Sequence, residues 1–425
     1  MASIAPGRMI SVEEALDAIS TSVSAKPAER LPLNDALGCV LNEDVCSDLD
    51  VPQNDQSIVD GYAVRASDFS LRTLREKTGI AEVELEILEE VTAGNVPTCA
   101  VKTGQTVRVM TGVAMPQGAD AVVMIEEVDC RDEPGLALGA ARFSDVQVSP
   151  GQNVMPRAKS LRRGQLVLSA GAPIGAVEIG LLSQVGCTGV RVVPKPTLAV
   201  LPTGDELIDP CFEPGPGKIR NSNGPMLVGC SRQLGFDVKN LGIGRDDLDH
   251  LRQAIEQGLS ADVLIISGGV SAGTRDLVPQ VLAELKVQPV FHKVRIKPGK
   301  PLWFGVAANA QRTKVFGLPG NPVSSFVCFQ LFVRTALKIL GGQKIDRNTP
   351  LPSARLSSRF EGVGNRTVYH PAWLSWSTEG PEIECIAWHG SGDLRALAMA
   401  NALAIFPPGE VAYEAGQRVA YQSLD

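Results

Sequence analysis

The chain has 425 residues, of which 44% are apolar and 20% are charged, and its formal net charge is −7. This composition is that of a soluble globular protein with two to four domains. The acidic balance argues against a nucleic-acid binder, which would show a basic domain or stripe, so we expect a small-molecule partner.

The nine cysteines occur singly, without a CxxC pair. This pattern predicts neither a disulfide framework nor a structural zinc site, and it indicates a reduced compartment. Residues 1–10 lack the apolar stretch of a signal peptide, and no run approaches the roughly 18 apolar residues of a membrane span. We therefore expect a cytoplasmic protein without a membrane contact.

The first predicted element is a helix that begins near Ser11, because Ser11 and Glu14 form a capping box ahead of regularly spaced apolar residues. It should end before Pro27. Beyond Cys39, short β-branched runs broken by Gly and Pro predict a β-rich region of one or two lobes that extends to about Val193. The runs are VELEIL (83–88), TVRVM (106–110), AVVMI (121–125) and VRVV (190–193).

Two turns in this β-rich region expose polar groups. In SIVDGYAVR (57–65), Asp60 precedes Gly61, and Thr111 with Gly112 ends the strand TVRVM. The residues alone favour ordinary turns between strands at both places, with ligand contact as the alternative.

After the linker PKPT (194–197), strands alternate with helices, which predicts a parallel sheet covered by helices on both faces. The strands are TLAVL, VKNLGIG and DVLIISGG, and the helices are 225–234 and 247–259. Ligands of such sheets bind outside the carboxyl ends of the strands. The last 79 residues or so, from Arg347, have the short strands of a separate β-rich domain.

Four Gly or Pro loops follow apolar runs in this second half: TGDEL (203–207), SGGVSAGTRD (267–276), IKPGKP (296–301) and LPGNPVSS (318–325). The first two end in acids, whereas the stretch around the third carries four cations and no acid. A phosphate-bearing ligand with a bound metal would need both signs. The alternative for the basic stretch is an exposed edge strand protected by lysine.

The loops offer specific contacts. Asn321 can cap a helix that starts at Pro322, which would leave the amides of residues 323–325 free to face an anion. Gly268, Gly269 and Gly273 would let Ser271 and nearby amides wrap a phosphate or a pterin edge; the alternative is a tight strand-to-helix turn. Four carboxylates near strand ends suit Mg²⁺, although each alone reads as a solvated cap: Asp205, Glu206, Asp246 and Asp276.

Seven motifs occur in the order found in one family: SIVDGYAVR, RVMTG, PTGDEL, GIGRDD, SGGVSAGTRD, KPGKP and LPGNPVSS. Together with the tail GSGDLRALAMANALAIFPPG, they resemble the molybdopterin molybdenumtransferase family, known as MoeA in bacteria and as the E domain of gephyrin. The resemblance covers nearly the whole chain.

The resemblance implies a multidomain α/β plus β fold. It implies a discontinuous domain I (1–45 and 150–193), a β-rich inserted domain II (46–149), an α/β molybdopterin-binding domain III (194–345) and a C-terminal β-barrel domain IV (346–425). It also implies a homodimer whose active site lies between domain III of one subunit and domain II of its partner.

The implied reaction inserts molybdate into adenylylated molybdopterin, with Mg²⁺-dependent release of AMP. A molybdopterin adenylyltransferase is the expected partner. Carried over by position, the catalytic residues are Glu206, Asp246, Asp276 and Asp60, and the metal ligands are Asp205, Glu206, Asp246 and Asp276. The cofactor-binding residues are Thr111, Thr203, Gly204, Ser267, Gly268, Gly269, Ser271, Gly273, Lys297, Lys300, Pro319, Gly320, Asn321 and Pro322.

The chain departs from the family pattern after PGQNV (150–154). The family continues with arginine and then GED or GEE, whereas Met155 stands near the arginine position here and Ser160 replaces the acid. Arg275 also replaces a usual aromatic residue. Glu178 or another acid can compensate for the lost carboxylate. The alternative function is a catalytically altered paralogue that binds molybdopterin or molybdate for delivery without turnover.

Overall fold

The computed structural model describes residues 8–70, 82–130, 138–270, 277–346, 349–361, 364–410 and 412–424. The chain forms two compact units. Unit 1 comprises Met1–Glu43, Gly171–Ala176 and Gly189–Asp425, and unit 2 comprises Asp44–Ala170 and Val177–Thr188.

The described helices are mostly short. They are α1 (Val12–Ser22), α2 (Ala66–Ser70), α3 (Ala176–Gln184), α4 (Asn223–Gln233), α5 (Leu248–Gly258), α6 (Val278–Glu284), α7 (Pro322–Cys328), α8 (Arg334–Leu340) and α9 (Leu394–Ala398). A π-helical stretch, Phe329–Val333, joins α7 to α8.

The strands fall into three groups along the chain. The first is β1 (Glu29–Pro32), β2 (Val40–Leu41), β3 (Val45–Cys46), β4 (Gln56–Ser57), β5 (Gly61–Val64), β6 (Glu82–Val91), β7 (Gln105–Val109), β8 (Ala121–Met124), β9 (Asp129–Cys130), β10 (Ala140–Ser144), β11 (Val154–Met155), β12 (Leu166–Leu168) and β13 (Gly189–Val193). The second is β14 (Leu198–Pro202), β15 (Leu207–Ile208), β16 (Ile219–Arg220), β17 (Val238–Asn240), β18 (Val263–Ser267), β19 (Val287–His292), β20 (Ile296–Lys297), β21 (Trp303–Ala307) and β22 (Lys314–Leu318). The third is β23 (Ser353–Leu356), β24 (Phe360–Glu361), β25 (Thr367–Ser377), β26 (Gly380–Cys385), β27 (Ala402–Phe406), β28 (Ala412–Tyr413) and β29 (Arg418–Ser423).

The predicted capping box at the start of α1 is confirmed. The N–H of Glu14 donates to Ser11 Oγ at 3.1 Å, and the N–H of Ser11 donates to Glu14 Oε2 at 2.7 Å. The helix ends at Ser22, before Pro27 as expected. Its buried face, which includes Ile19, packs into the main core of unit 1.

The α/β sheet of unit 1 has the strand order β17-β14-β18-β22-β21-β19. Successive residues of β14 enter two different cores: Val200 packs on the side of α1 and α4, and Leu201 packs on the side of α5 and α6. The predicted covering of both faces by helices is therefore confirmed. The predicted parallel pairing holds for β17, β14, β18 and β22, whereas β21 pairs antiparallel with both of its neighbours, β22 and β19, at one edge.

The C-terminal strands of unit 1 close into a barrel, as the resemblance implies. Its sheet has the order β20-β25-β26-β23-β29-β27, and a further pairing of β25 with β27 closes the ring. Strand β20, which precedes the basic loop, pairs in parallel with β25. The lysine loop is thus attached to the barrel through β20.

The continuous helix Pro322–Leu340 is the one described helix whose length and composition would suit a membrane span. About two thirds of its apolar window, 67%, is buried inside the protein. Phe329 and Phe332 on this helix are fully buried in the main core of unit 1. It serves as a core helix in this fold.

Unit 2 is built around a six-stranded mixed sheet with the order β8-β5-β7-β6-β10-β9. Three of the four predicted β-branched runs form its strands β6, β7 and β8, and the fourth, VRVV, forms β13 in unit 1. Helix α3, by contrast, was not predicted. Its sequence, AVEIGLLSQ, is apolar without a clear helical period, so pattern alone does not distinguish it from a buried strand.

Candidate functional site

Three of the predicted loops meet at the carboxyl edge of the α/β sheet. The N–H of Thr203 donates to the carbonyl of Ser267 at 2.8 Å, and the N–H of Gly268 donates to the carbonyl of Leu318 at 3.1 Å. These bonds tie TGDEL, SGG and LPGNP side by side, because β14, β18 and β22 are adjacent parallel strands. The fold therefore brings Thr203, Gly204, Ser267, Gly268, Gly269, Pro319 and Gly320 into one region.

Gly268 is required by a close backbone approach. It has φ +95°, and a Cβ at this position would lie 2.5 Å from the carbonyl oxygen of Thr203. Any side chain would therefore strain the turn and push the two loops apart. The predicted turn-forming role of this glycine is thus supported by the geometry.

Asn223, in α4, was missed by sequence reasoning. Its Nδ2 donates to Ser267 Oγ at 2.8 Å and to the carbonyl of Gly320 at 2.7 Å. Among the described residues, neither Asn223 Oδ1 nor Thr203 Oγ1 has a hydrogen-bond partner, although both atoms are buried. Buried polar atoms are rarely left unpaired, so this edge offers two groups for a bound ligand or water.

Two of the predicted acids are neighbours. The N–H of Asp246 donates to Asp205 Oδ1 at 3.1 Å, and the N–H of Asp205 donates to Asp246 Oδ2 at 3.3 Å. Glu206 is exposed, and its carboxylate lies over Gly204, where an added Cβ would be 2.3 Å from Oε2. Within the part of the chain that the structure describes, no group of three or more acids, histidines or cysteines is arranged to hold a metal ion.

Three predicted site residues, Ser271, Gly273 and Asp276, lie outside the described residues, as does Arg275. The predicted metal set is therefore represented in the structure by Asp205, Glu206 and Asp246.

A basic cleft of about 490 Å³ adjoins the LPGNP loop. Lys297, Lys300 and Arg366 supply its positive charge, and Ser324 and Ser391 add hydroxyl groups. Pro319 and Asn321 also line it, so one loop borders both the strand-edge region and the cleft. This geometry suits a small oxyanion bound close to a larger phosphate-bearing ligand.

The predicted cap of the helix that starts at Pro322 is wrong in its detail. Asn321 occupies the N-cap position, but its side chain makes no capping bond and donates instead to Ser391 Oγ at 2.8 Å. The N–H of Val323 donates to the carbonyl of Ser391 at 3.1 Å, and that of Ser325 bonds within the helix. Two of the three amides expected to be free are therefore occupied: the barrel accepts the N–H of Val323, and the carbonyl of Asn321 accepts the N–H of Ser325.

Arg366, Trp388 and Ser391 come from the barrel and were not predicted. Arg366 Nη1 donates to the carbonyl of Ile296 at 3.3 Å, next to the lysine loop. The indole Nε1 of Trp388 is buried without a partner among the described residues. The glycine-rich HGSG segment of the tail was the one sequence signal for a functional loop here. No local pattern, however, shows that this segment lies near the lysines.

Unit 2 contains the remaining pair of predicted residues. The N–H of Thr111 donates to Asp60 Oδ1 at 2.7 Å, and its hydroxyl donates to the same oxygen at 2.9 Å. These two bonds hold the pKa of the exposed Asp60 carboxyl below its ordinary value, and the backbone N–H has the larger effect of the two. Asp60 is thus a fixed, ionised carboxylate on the surface.

Two of the three departures from the family pattern, Met155 and Ser160, lie in unit 2 as well. Met155 pairs with Gln56 in the short β11–β4 sheet. Ser160 is exposed, and its N–H donates to the carbonyl of Val51 at 2.9 Å. The backbone at Ser160 is thus held in place, while the side chain supplies a hydroxyl where an acid was expected.

The fold and the two clusters in unit 1 define a multidomain protein with an α/β domain whose carboxyl-edge loops adjoin a basic cleft, an arrangement that suits an anionic ligand. Comparisons with known families narrow this class. Residues 10–186 match the MoeA N-terminal region (domain I and II), residues 199–339 match a probable molybdopterin binding domain, and residues 353–424 match the MoeA C-terminal region (domain IV).

Relatives that match over the whole chain support the same family assignment. A molybdopterin molybdenumtransferase of Staphylococcus aureus is 31% identical over 411 residues, covering 96% of this chain and 94% of that protein, and one of Staphylococcus epidermidis is 32% identical over the same length. The crystal structure of a molybdopterin biosynthesis MoeA protein from a Pyrococcus species, "Pyrococcus horikosii", superimposes with a TM-score of 0.75 at 31% identity, over 98% of this chain and 100% of that one. The chain belongs to the molybdopterin molybdenumtransferase (MoeA) family, which is a family of transferases.

Proposed function

We propose that this protein inserts molybdate into adenylylated molybdopterin and releases AMP, which completes the molybdenum cofactor. The observation that carries the proposal is the shared LPGNP loop, which borders both the ligand edge of the α/β sheet and the basic cleft. A reaction between an oxyanion and a large phosphate-bearing substrate needs two such adjacent sites.

In this proposal, molybdate binds in the basic cleft. Lys297, Lys300 and Arg366 attract the dianion, and hydroxyl groups orient its oxygens. The bond from Asn321 to Ser391 fixes the wall between the α/β domain and the barrel, so the cations face a shaped pocket. The molybdopterin moiety would lie along Thr203, Gly268 and Gly320, where the backbone allows close approach.

The acid cluster fits Mg²⁺. Asp205 and Asp246 each use one carboxylate oxygen for a backbone N–H and keep the other available, and Mg²⁺ takes one or two carboxylates together with substrate phosphates. When bound, Mg²⁺ would offset the charge of the phosphoanhydride. Glu206, beside them, would orient the group that attacks the phosphoanhydride or accept a proton from it. We expect Asp276 to be the fourth carboxylate of this cluster.

A homodimer is part of this proposal. The family resemblance motivates an active site between domain III and the partner's domain II, to which the partner would contribute its Asp60 and Thr111. We further propose a cytoplasmic location and a molybdopterin adenylyltransferase that supplies the substrate. The formal net charge of the chain, −7, gives no reason to expect a nucleic acid or a membrane as a partner.

The direct test is molybdate-dependent release of AMP from adenylylated molybdopterin by the purified protein with Mg²⁺, with Ser160→Asp measured in parallel. Release by the native chain would support the transferase and show that Ser160 is compatible with turnover. The second candidate, a binding protein that delivers its ligand without turnover, is motivated by the serine at position 160. Tight ligand binding with release only by Ser160→Asp, or by neither protein, would favour it.

A further inference from the structure

A second cavity, of about 450 Å³, lies wholly in unit 2. Its walls come from residues 49–54 and 56, from the loop that follows Thr111, and from Gln184 at the end of α3. Small-molecule sites have volumes of roughly 300–1,000 Å³, so the cavity is large enough for a ring system with a substituent. None of the functional residues proposed above lines it.

Four carboxamide side chains line this cavity: Gln53, Asn54, Gln56 and Gln184. Each carries an NH₂ donor and a carbonyl acceptor. Within the described ranges, no hydrogen bond joins these four side chains to another protein group. Gln53, Asn54 and Gln184 are exposed and Gln56 is half-buried, so the donors and acceptors of these side chains stand open to solvent at the cavity.

The cavity carries no net positive charge. No lysine or arginine lines it in the part of the chain that the structure describes, and Asp50 is its one ionisable group. The Asp50 carboxylate accepts hydrogen bonds from Arg157 Nε at 2.6 Å and from the N–H of Arg163 at 2.8 Å. Its charge is thus already compensated by Arg157, and the described lining residues themselves offer no cation to a phosphate or another anion.

The remaining walls are aliphatic. Leu49, Val51, Pro52 and Ala114 provide apolar surface between the carboxamides. A planar nitrogen heterocycle matches this combination, because its faces are apolar and its edge alternates donors with acceptors. Glutamine and asparagine pair with the adenine edge through two hydrogen bonds at once, and flipped bases are read in pockets by the same edge contacts.

We propose that this cavity binds the planar heterocycle of a purine or a pterin. Gly112, which lines the cavity, directly follows Thr111, whose N–H and hydroxyl hold Asp60. A ring in the cavity would therefore lie beside the Asp60 surface. That the ring is part of the adenylylated substrate rests on the proposed function, whereas the heterocycle site itself does not.

The test is calorimetric titration of the purified full-length protein with adenosine and, separately, with 6-hydroxymethylpterin. Both probes lack phosphate, so neither depends on the basic cleft. Three variants are compared: the double variant Gln53→Leu with Asn54→Leu, the single variant Gln56→Leu, and the single variant Gln184→Leu. Leucine keeps the bulk of the side chain but removes its hydrogen bonds. The matched control is Gln117→Leu, an exposed glutamine of unit 2 that does not line the cavity.

We expect at least one probe to bind the native protein and each substituted carboxamide to weaken binding by about threefold to tenfold, as for a lost hydrogen bond. The control should match the native protein. Tighter binding of adenosine would identify the ligand ring as a purine, and tighter binding of 6-hydroxymethylpterin would identify it as a pterin. Gln184 is exposed at a helix end, so Gln184→Leu tests the site even if a variant in 53–56 unfolds.

The inference is overturned if neither probe binds saturably, or if all the variants bind as tightly as Gln117→Leu does. Competition by ribose 5-phosphate would also overturn it, because the site would then recognise phosphate. None of these outcomes depends on AMP release, so failure here is distinguishable from failure of the proposed transferase activity.

Discussion

The side chain of Asn321 donates a hydrogen bond of 2.8 Å to the hydroxyl of Ser391, which lies 70 residues further along the chain. This contact joins the LPGNP loop of the α/β domain to the barrel at the wall of the basic cleft. The carbonyl of Ser391 also accepts the N–H of Val323. One serine thus holds the helix start through its backbone and the capping residue through its side chain.

Ser391→Ala should weaken molybdate binding by about threefold to tenfold, because it removes a cleft hydroxyl and releases Asn321. The fold should persist, since the backbone bond to Val323 remains. Titration calorimetry with molybdate measures the effect. Ser375→Ala, at an exposed position of β25, is the control. Equal molybdate affinities for the two variants would show that Ser391 does not contribute to the oxyanion site.

Glu206→Ala should reduce AMP release by about 100-fold or more, the usual contribution of an acid–base group. Its thermal unfolding should match that of the native protein, because Glu206 is exposed and no hydrogen bond to its carboxylate is seen among the described residues. The control is Glu213→Ala, which changes an exposed acid in the neighbouring loop. Full activity of Glu206→Ala would refute the assignment.

Mixing two inactive variants tests the shared active site. Glu206→Ala and Asp60→Ala should each be inactive, whereas subunit exchange between them should restore about a quarter of native activity, because half of the dimers would then contain one intact site. The measurement is AMP release before and after exchange, with differently tagged subunits and native mass spectrometry to confirm that heterodimers form. If mixing restores nothing although heterodimers form, Asp60 does not act across a subunit interface.

Gly268→Ala should lower the free energy of unfolding by about 1–3 kcal/mol, because the left-handed φ and the nearby Thr203 carbonyl both disfavour a side chain. Chemical denaturation followed by circular dichroism measures the change. Gly215→Ala is the comparison, since a Cβ there meets nothing within 4 Å. Similar stabilities for the two variants would show that the loops at this edge can separate without cost.

The ion pair of Lys26 with Asp262, at 2.7 Å, predicts a pH effect on stability. Burial raises the pKa of Asp262, but hydrogen bonds from Lys26 and from the N–H of Thr197 outweigh burial, so the pKa lies below its ordinary value. A depressed carboxyl pKa stabilises the fold above the unfolded value of about 3.9, and this stability is lost as the pH falls through the folded value.

Lys26→Met should therefore cost about 1–2 kcal/mol near pH 7. It should also raise the folded-state pKa of Asp262 toward its unfolded value, so that the difference in stability between the variant and the native protein shrinks as the pH falls from 7 to 3. Thermal unfolding between pH 7 and pH 3 measures both effects. Lys239→Met, on the exposed edge of β17, is the control. Parallel curves for the two variants would show that the ion pair adds nothing.

Much of the architecture could be predicted from local patterns. The apolar runs that became β14 and β18 are buried on both faces, and such runs between turn signals are typical of parallel strands. The capping box of Ser11 and Glu14 was equally local. Helix α3 could not be predicted, because its apolar sequence lacks the periodicity that separates a helix from a strand.

The site was predictable only where its residues follow strands. Thr203, Ser267 and Gly320 share an edge because the sheet order brings them there, and strand-end loops can be recognised in sequence. Asn223 and Ser391 could not be found in this way, since their contacts join segments far apart in the chain. The same long-range contact explains why Asn321 does not cap its helix.

The pairing of β20 with β25 has a consequence for how such proteins are built from parts. The lysine loop lies within the segment that matches the molybdopterin-binding family, yet its strand is hydrogen-bonded to the barrel, and Arg366 beside it belongs to the barrel. The basic cleft therefore needs both the α/β domain and the barrel. A chimera that exchanges the barrel between relatives exchanges Arg366, Trp388, Gly390 and Ser391, four of the twelve residues that line the cleft, so part of the oxyanion preference should travel with the C-terminal domain.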